Sequence, residues 1–365
     1  MKYLFFIFSV LLVSCVPDNN DILIVKIDKK SEKIKLSDFC DSVKYIALET
    51  TAASLVGAIG KIQYVNQHFF ISDLSQNKIL IYDAKGHFVR DILREGRGPE
   101  EYNMINDFTI SPADTNIYIG DANNKINIYS FKGRFIKSLY SPNLILSMNF
   151  IDKNLYIFSG FNIPDKAKDS VSYASIIDES GNVLRTFGNV SSGVARVLNN
   201  VTGGNVFVED NKEFLFFYPY QNIVYKYFSN EVKPIFKVDF GSSSLPALTT
   251  ENVVGLSSVK FRGYRYLSSV LELRDKLYIW WIDHTDNPKK CLSIVDTQNN
   301  MIKTASITEQ IIDDFYNSDA KFYIQMIDLD KNLIGINLPI QCPILAKTLN
   351  LSEDDNPIIS IYYVK

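Results

Sequence analysis

Repetition constrains this chain more than any other feature. Four short strand-like segments, Lys61–Val65, His68–Asp73, Lys78–Asp83 and Gly86–Leu93, return in the same order as Asp107–Ile110, Asn116–Asp121, Lys125–Ser130 and Gly133–Leu139. In both units the last two segments are joined by a turn ending in Lys-Gly (Lys85-Gly86, Lys132-Gly133), where glycine supplies the positive φ that a tight hairpin needs. A third copy runs from Met148 through Asn154–Phe158 and Tyr173–Asp178 to Gly181–Phe187. Fainter copies follow: Asn205–Val208, Glu213–Phe217, Ile223–Tyr227 and Ile235–Phe240; then Ser269–Leu273, Lys276–Trp281, Leu292–Asp296 and Met301–Ala305. The sixth has three segments, Phe322–Ile327, Asn332–Ile336 and Ile358–Val364, and lacks a fourth. A spare one, Val43–Leu48, lies near the start. The period and the spare strand together predict an all-β fold, a six-bladed β-propeller closed by an N-terminal strand, which leaves no open sheet edge in the ring. A β-sandwich explains neither. The 21 Tyr and 24 Phe, with abundant Ile, suit strands.

Ahead of the repeats stand Lys2, an apolar run Leu4–Val13 and Ser14-Cys15. A positive start, a short apolar stretch and a small residue before a cut describe a secretory signal. The run is too short to cross a bilayer, which takes roughly 20 residues. Leu12-Val13-Ser14-Cys15 is similar to a bacterial lipobox, in which cleavage frees the Cys15 amine and its thiol takes a diacylglycerol. An ordinary signal peptide that contains a cysteine is the alternative. The expected organisation is a signal peptide over 1–14, a lipid-anchored tether and N-terminal segment over 15–40, and the propeller over 41–365. The acidic residues Asp18 and Asp21 after Cys15 resemble the signal by which some Gram-negative bacteria send lipoproteins to the cell surface. The expected location is therefore the outer membrane, with the membrane as partner through Cys15 and surface exposure as a further option.

Loss of residues 1–14 removes only Lys2, leaving 37 basic against 41 acidic side chains. A mildly acidic body argues against nucleic acid as a partner. Cys40, Cys291 and Cys342 remain, an odd number that leaves at least one unpaired. A Cys40–Cys342 bridge tying the chain's start to its end stays open at this level, and Cys291 reads as a buried thiol.

Three segments carry a family resemblance: Val43-Lys-Tyr-Ile-Ala-Leu-Glu-Thr-Thr, Arg94-Glu-Gly-Arg-Gly-Pro-Glu-Glu-Tyr and Glu353-Asp-Asp-Asn-Pro-Ile-Ile-Ser-Ile-Tyr. On these the chain resembles a family of six-bladed β-propeller lipoproteins of Gram-negative bacteria, NHL-like or TolB-like in their repeats. The second segment departs from the usual Gly-x-Gly-Pro-Gly-Glu-Tyr form by carrying Glu100 where glycine is common. The resemblance implies a fold and a location, and no common biochemical activity.

No catalytic signature stands out. Gly96-Arg-Gly98 leads into Pro99 rather than a helix N-terminus, so it reads as an interblade turn and not as a phosphate loop. His68 and His87 suit surface or packing roles, and His284 has no obvious partner ligands for a metal. The adjacent carboxylates Glu100-Glu101, Asp313-Asp314 and Asp354-Asp355 would point to opposite faces of a strand and read as solvated loops. Neither a cofactor nor a metal is expected.

Propeller geometry narrows the search. Loops from one blade's last strand to the next blade's first share a face with loops joining second and third strands, and that face is where propellers commonly bind ligands. Of nine arginines, Arg94, Arg97, Arg196, Arg262 and Arg265 fall in the interblade segments, which make up about a fifth of the chain. Tyr264 and Tyr266 alternate with two of them, and Tyr218, Tyr220, Trp281 and His284 belong to second-to-third-strand loops. This set would take an anionic or carbohydrate ligand through guanidinium forks and stacked rings. The competing reading has the arginines pinning neighbouring blades through carbonyls and carboxylates. The leading functional expectation is a non-catalytic binding or scaffold module with a glycan or protein partner. A propeller-type lyase or hydrolase using the same funnel and a structural subunit of an envelope complex are the alternatives.

Overall fold

Short aromatic and β-branched runs joined by tight turns pair with their sequence neighbours as antiparallel hairpins. The computed structural model of the protein describes residues 22–27, 31–141, 144–151, 153–160, 170–191, 205–206, 208–210, 213–218, 221–228, 231–246, 261–328 and 330–365. The chain opens with β1 (Leu23–Lys26), β2 (Ile34–Lys35) and β3 (Cys40–Ala47). Blade one follows as β4 (Ile59–Val65), β5 (His68–Asp73), β6 (Lys78–Asp83) and β7 (Phe88–Ile92). Blade two is β8 (Ile105–Ile110), β9 (Ile117–Asp121), β10 (Lys125–Tyr129) and β11 (Phe135–Tyr140). Blade three is β12 (Leu144–Ile151), β13 (Asn154–Gly160), β14 (Ser170–Ile177) and β15 (Val183–Ser191). After β16 (Asn205–Val206), blade four holds β17 (Val208–Asp210), β18 (Glu213–Phe217), β19 (Ile223–Phe228) and β20 (Glu231–Asp239). Blade five is β21 (Arg265–Leu273), β22 (Lys276–Asp283), β23 (Lys289–Asp296) and β24 (Ile302–Ser306). Then come β25 (Ile311–Ile312), β26 (Ile324–Ile327), β27 (Leu333–Asn337), a short helix α1 (Pro343–Thr348) and β28 (Ile358–Val364).

The sixth blade is completed by the N-terminal strand, its order being β26-β27-β28-β3. Strand β3 lies antiparallel to β28 with Val43 opposite Tyr362 and Ile46 opposite Ile359. Innermost strands touch in succession, β4 with β8, β8 with β12, β12 with β17, β17 with β21, and β26 of blade six meets β4 of blade one. The result is a six-bladed propeller closed as the repeats predict. Register shifts recur in the innermost strands of all six blades. Such bulges strengthen the local twist that lets blades splay around an axis.

The closing strand reproduces a contact made elsewhere in the ring. In blades two and three the outer-hairpin glycine lies against the end of the preceding blade's last strand: Gly133 against Ile92 and Gly181 against Leu139. Gly86 of blade one meets the backbone of Ala47, the end of β3, in the same way. All three glycines have positive φ. Ile46 and Leu48 then join a core with Ile62, Leu80 and Tyr82 of blade one and Ile336 and Ile361 of blade six. Asn356, which is buried, ties the two ends of the seam. Its amide donates to the Glu49 and Ser54 carbonyls at 2.7 and 2.9 Å, and its carbonyl accepts from the Val56 amide at 2.8 Å.

Polar side chains pin the inner strands. The Lys61 ammonium donates to Asp107 Oδ2 at 2.9 Å and to the Phe108 and Met148 carbonyls at 2.9 and 2.6 Å. Asp107 Oδ2 also accepts from the Met148 amide, so one ion pair joins blades one, two and three. Burial pushes the Asp107 carboxyl above its usual range, against the Lys61 charge and these hydrogen bonds.

Three features differ from the sequence expectations. Residues 15–40 were expected to be tether and N-terminal segment, yet the described fold already includes Leu23. Strand β1 runs parallel to β20 as an outer fifth strand of blade four, β2 pairs with β25, and the Glu32 amide donates to Thr304 of blade five. The Asn205–Val208 segment is divided: β16 pairs with β21 of blade five while β17 stays in blade four. Cys40, Cys291 and Cys342 are all free and buried, so no Cys40–Cys342 bridge forms. They sit in three different apolar clusters, and burial pushes the thiols up, Cys40 to about 12 and the other two to about 11.

A Gly86→Ala change would bring its Cβ to 2.2 Å from the Ala47 carbonyl oxygen at a φ of +89°. We expect a loss of about 3 kcal/mol in denaturant titrations. Gly241→Ala also has positive φ but open space around it, and should cost only about 1 kcal/mol. Equal losses would contradict the seam contact.

Candidate functional site

The loop face is built where interblade loops meet second-to-third-strand turns. Tyr102 shows how one seam is fixed. Its ring is fully buried, and its hydroxyl donates to the carbonyls of Asn77 (2.8 Å) and Ile92 (3.2 Å). From the next blade, alternate residues of β10 reach back into the same loop. Lys125 donates to the Pro99 and Glu101 carbonyls, Asn127 to the Glu101 carbonyl and Tyr129 to the Glu100 carbonyl. The Gly96-Arg-Gly98 segment is therefore an interblade turn. Within it the Glu101 carboxylate folds back to accept from the Gly98 amide at 2.8 Å, and a Cβ on Gly96 would lie 1.9 Å from that carboxylate. Tyr82 does for the preceding seam what Tyr129 does here, donating to the Ser54 carbonyl.

The five arginines do not share one place. Arg94 reaches the Gly133 carbonyl in the outer hairpin of blade two at 3.4 Å, an interblade pin. Arg97 is exposed in the turn and makes no hydrogen bond or ion pair among the described residues. Arg196 lies outside the described residues, as do Tyr220 and Cys15. Arg262 and Arg265 stand on blade five.

On blade five the structure brings several expected residues together. Arg265 Nε donates to Asp283 Oδ2 at 3.0 Å across the β21–β22 pair, and its guanidinium lies 5.5 Å from the Trp281 ring centre. The Gly263 and His284 amides donate to the His284 and Tyr264 carbonyls, holding the Arg262-Gly263-Tyr264 turn against the end of β22. Gly263 has a φ of +95°, which suits this turn. Tyr266 packs on Phe261 at 5.6 Å. Arg262 is exposed, Tyr264 is half-buried, and His284 Nδ1 is buried without a hydrogen-bond partner.

Trp281 is a correction to the expected rim. It is 3% exposed, packs on Phe240, and its indole donates to Ser293 Oγ at 3.0 Å. Its position follows from the fold: a middle strand of a blade is covered on both faces, so Trp280 enters the core shared with Phe39 and Trp281 the core shared with Phe240. Tyr218 likewise lies against Phe216 and Tyr225 in blade four rather than beside the blade-five group. Asp313 is no solvated loop residue either. It is 1% exposed and accepts from the Tyr45 and Ser318 hydroxyls, while Asp314 accepts from Ser37.

Sequence reasoning passed over the aspartates ending the second strands. Asp73, Asp121 and Asp283 occupy the same repeat position, and each accepts amides of the following turn. Repetition at that register was the available signal. Burial pushes the Asp283 carboxyl up, yet hydrogen bonds from Thr285 and the Arg265 charge hold it below its usual range. A depressed carboxyl adds stability above its unfolded value of about 3.9 and loses it as pH falls through the folded value. Asp283→Asn should thus cost about 0.5–1 kcal/mol at pH 7 after solvent screening, with the gap to the parent closing below about pH 4. Urea midpoints from pH 3 to 7 test this, and a gap independent of pH would contradict it.

Comparison with known proteins adds the following. The model of a family described as a domain of unknown function (DUF4934) matches residues 21–363. A crystal structure of a Bacteroides fragilis protein described as exported is similar over 94% of this chain and 99% of its own, with 18% identity and a TM-score of 0.74. A member of the DUF4221 family from Bacteroides vulgatus is similar over 92% of this chain and 99% of its own, with 11% identity and a TM-score of 0.58. At these identities the likeness concerns the fold. No curated protein matches the sequence.

Proposed function

Since the chain belongs to the DUF4934 family, we propose from its own geometry that it is an exported, lipid-anchored binding module, non-catalytic, with an anionic or carbohydrate ligand on its loop face. Export and anchoring are supported by the Leu4–Val13 run, by Cys15 at the cleavage position and by the exported description of the Bacteroides fragilis protein. Kinship with NHL- or TolB-like propeller lipoproteins and outer-membrane residence belong to the same proposal.

The observation that carries the binding reading is the division of labour on blade five. Arg265 is held by Asp283 and stacked on buried Trp281, so it stiffens the site. Arg262 is exposed beside Tyr264 on a turn that this group fixes, and its side chain makes no hydrogen bond or ion pair among the described residues. A guanidinium fork next to a phenol ring, held on a rigid turn, suits a carboxylate, a sulfate or a sugar face.

Two measurements test this. Labelled palmitate should enter the wild-type chain and not Cys15→Ser, and equal labelling would refute the anchor. On a glycan array the full chain should bind acidic or neutral glycans. Arg262→Ala with Tyr264→Ala should weaken that binding at least tenfold with an unchanged melting temperature. Absence of any glycan binding by the folded wild type would refute the ligand assignment.

A further inference from the structure

A second seat lies on the same face, at the seam of blades one and two. A cavity of about 440 Å³ opens there, lined by Arg97, Glu101, Asn103, Asp121, Asn123 and Lys125. Its volume falls within the range of small-molecule sites. The backbone of the interblade turn that walls it is fixed by the Lys125, Asn127 and Tyr129 bonds, so only side chains are left to order on binding.

Comparing the repeats shows what sets this place apart. In blade one, Asp73 Oδ2 is occupied by the Gly57 amide at 2.7 Å and by Gln76 Nε2 at 2.7 Å. In blade five, Asp283 Oδ2 is occupied by Arg265. In blade two, Asp121 Oδ1 accepts the Asn123 and Lys125 amides, but among the described residues Oδ2 has only the Asn103 amide at 3.5 Å. A buried carboxylate oxygen therefore keeps acceptor capacity toward the cavity. Around it, the side chains of Arg97, Asn103 and Asn123 make no hydrogen bond among the described residues, although their neighbours are tied down.

Free amides, a spare carboxylate oxygen and no aromatic lining are the groups that read hydroxyls in pairs of donor and acceptor. The Glu101 and Asp121 carboxylates each accept backbone amides, whereas Arg97 forms no ion pair among the described residues. We infer that this seam pocket binds an acidic saccharide, its hydroxyls on Asp121, Asn103 and Asn123 and its carboxylate on Arg97. The inference extends the carbohydrate reading to a place that shares no residue with the blade-five turn.

Calorimetry on the full chain in detergent tests it, with a hexuronic acid disaccharide, the neutral hexose disaccharide of the same linkage, and glutamate as a zwitterion. The acidic disaccharide should bind at least tenfold more tightly than the neutral one, and glutamate should not bind. Arg97→Gln should abolish the preference and Asn123→Leu should weaken both sugars, each with an unchanged melting temperature since neither exposed side chain has a partner to lose among the described residues. Arg262→Ala with Tyr264→Ala should leave these affinities unchanged, so the two sites fail separately. No binding of the acidic disaccharide, equal affinity for the neutral one, glutamate binding instead, or wild-type behaviour of Arg97→Gln would each overturn the assignment.

Discussion

A ring of sheets holds only if its last blade is closed, because an unpaired outer edge exposes a row of amides and carbonyls and lets neighbouring blades splay. Here closure rests on β3 lying along β28, an N-terminal strand on the chain's last. The seam has three parts: the strand pairing, the Ile46–Leu48 core shared by blades six and one, and the Asn356 amide bridging Glu49, Ser54 and Val56. Everything on the loop face inherits its rigidity from that closure. The turns that present Arg262 or Arg97 are braced by neighbouring blades whose spacing the ring sets.

The resemblance-bearing segments turn out to be seam residues. Val43–Thr51 and Glu353–Tyr362 face each other across the closing joint, and Arg94–Tyr102 is the loop of the next joint. These segments therefore record how blades join, which explains why they identify a fold without identifying an activity. The Glu100 departure is harmless at this joint because its carbonyl, not its side chain, is what Tyr129 holds.

How far the sequence could be read follows the range of the interactions. Blades were legible because each is made of neighbouring strands joined by Gly turns such as Lys85-Gly86, all local signals. The β1 strap was not, since Leu23–Lys26 is four residues long and its partner β20 lies more than two hundred positions away. Trp281 was misplaced because alternation tells inside from outside only where one sheet face meets water, and a propeller blade buries both. The arginines were found as a surplus, but their roles depend on partners that spacing does not reveal. Arg94 meets a carbonyl, Arg265 an aspartate and an indole, and the Arg97 and Arg262 side chains make no hydrogen bond or ion pair among the described residues.

Native-state hydrogen exchange over the β3–β28 pair tests the closure most directly. If the ring depends on this seam, the amides of the β3–β28 ladder should exchange only with global unfolding. Their opening free energy should match that of β5 and β6 in blade one and fall with it in denaturant. Exchange of the β3 amides through a separate, lower-energy opening, while blades one to five stay fully protected, would contradict the account.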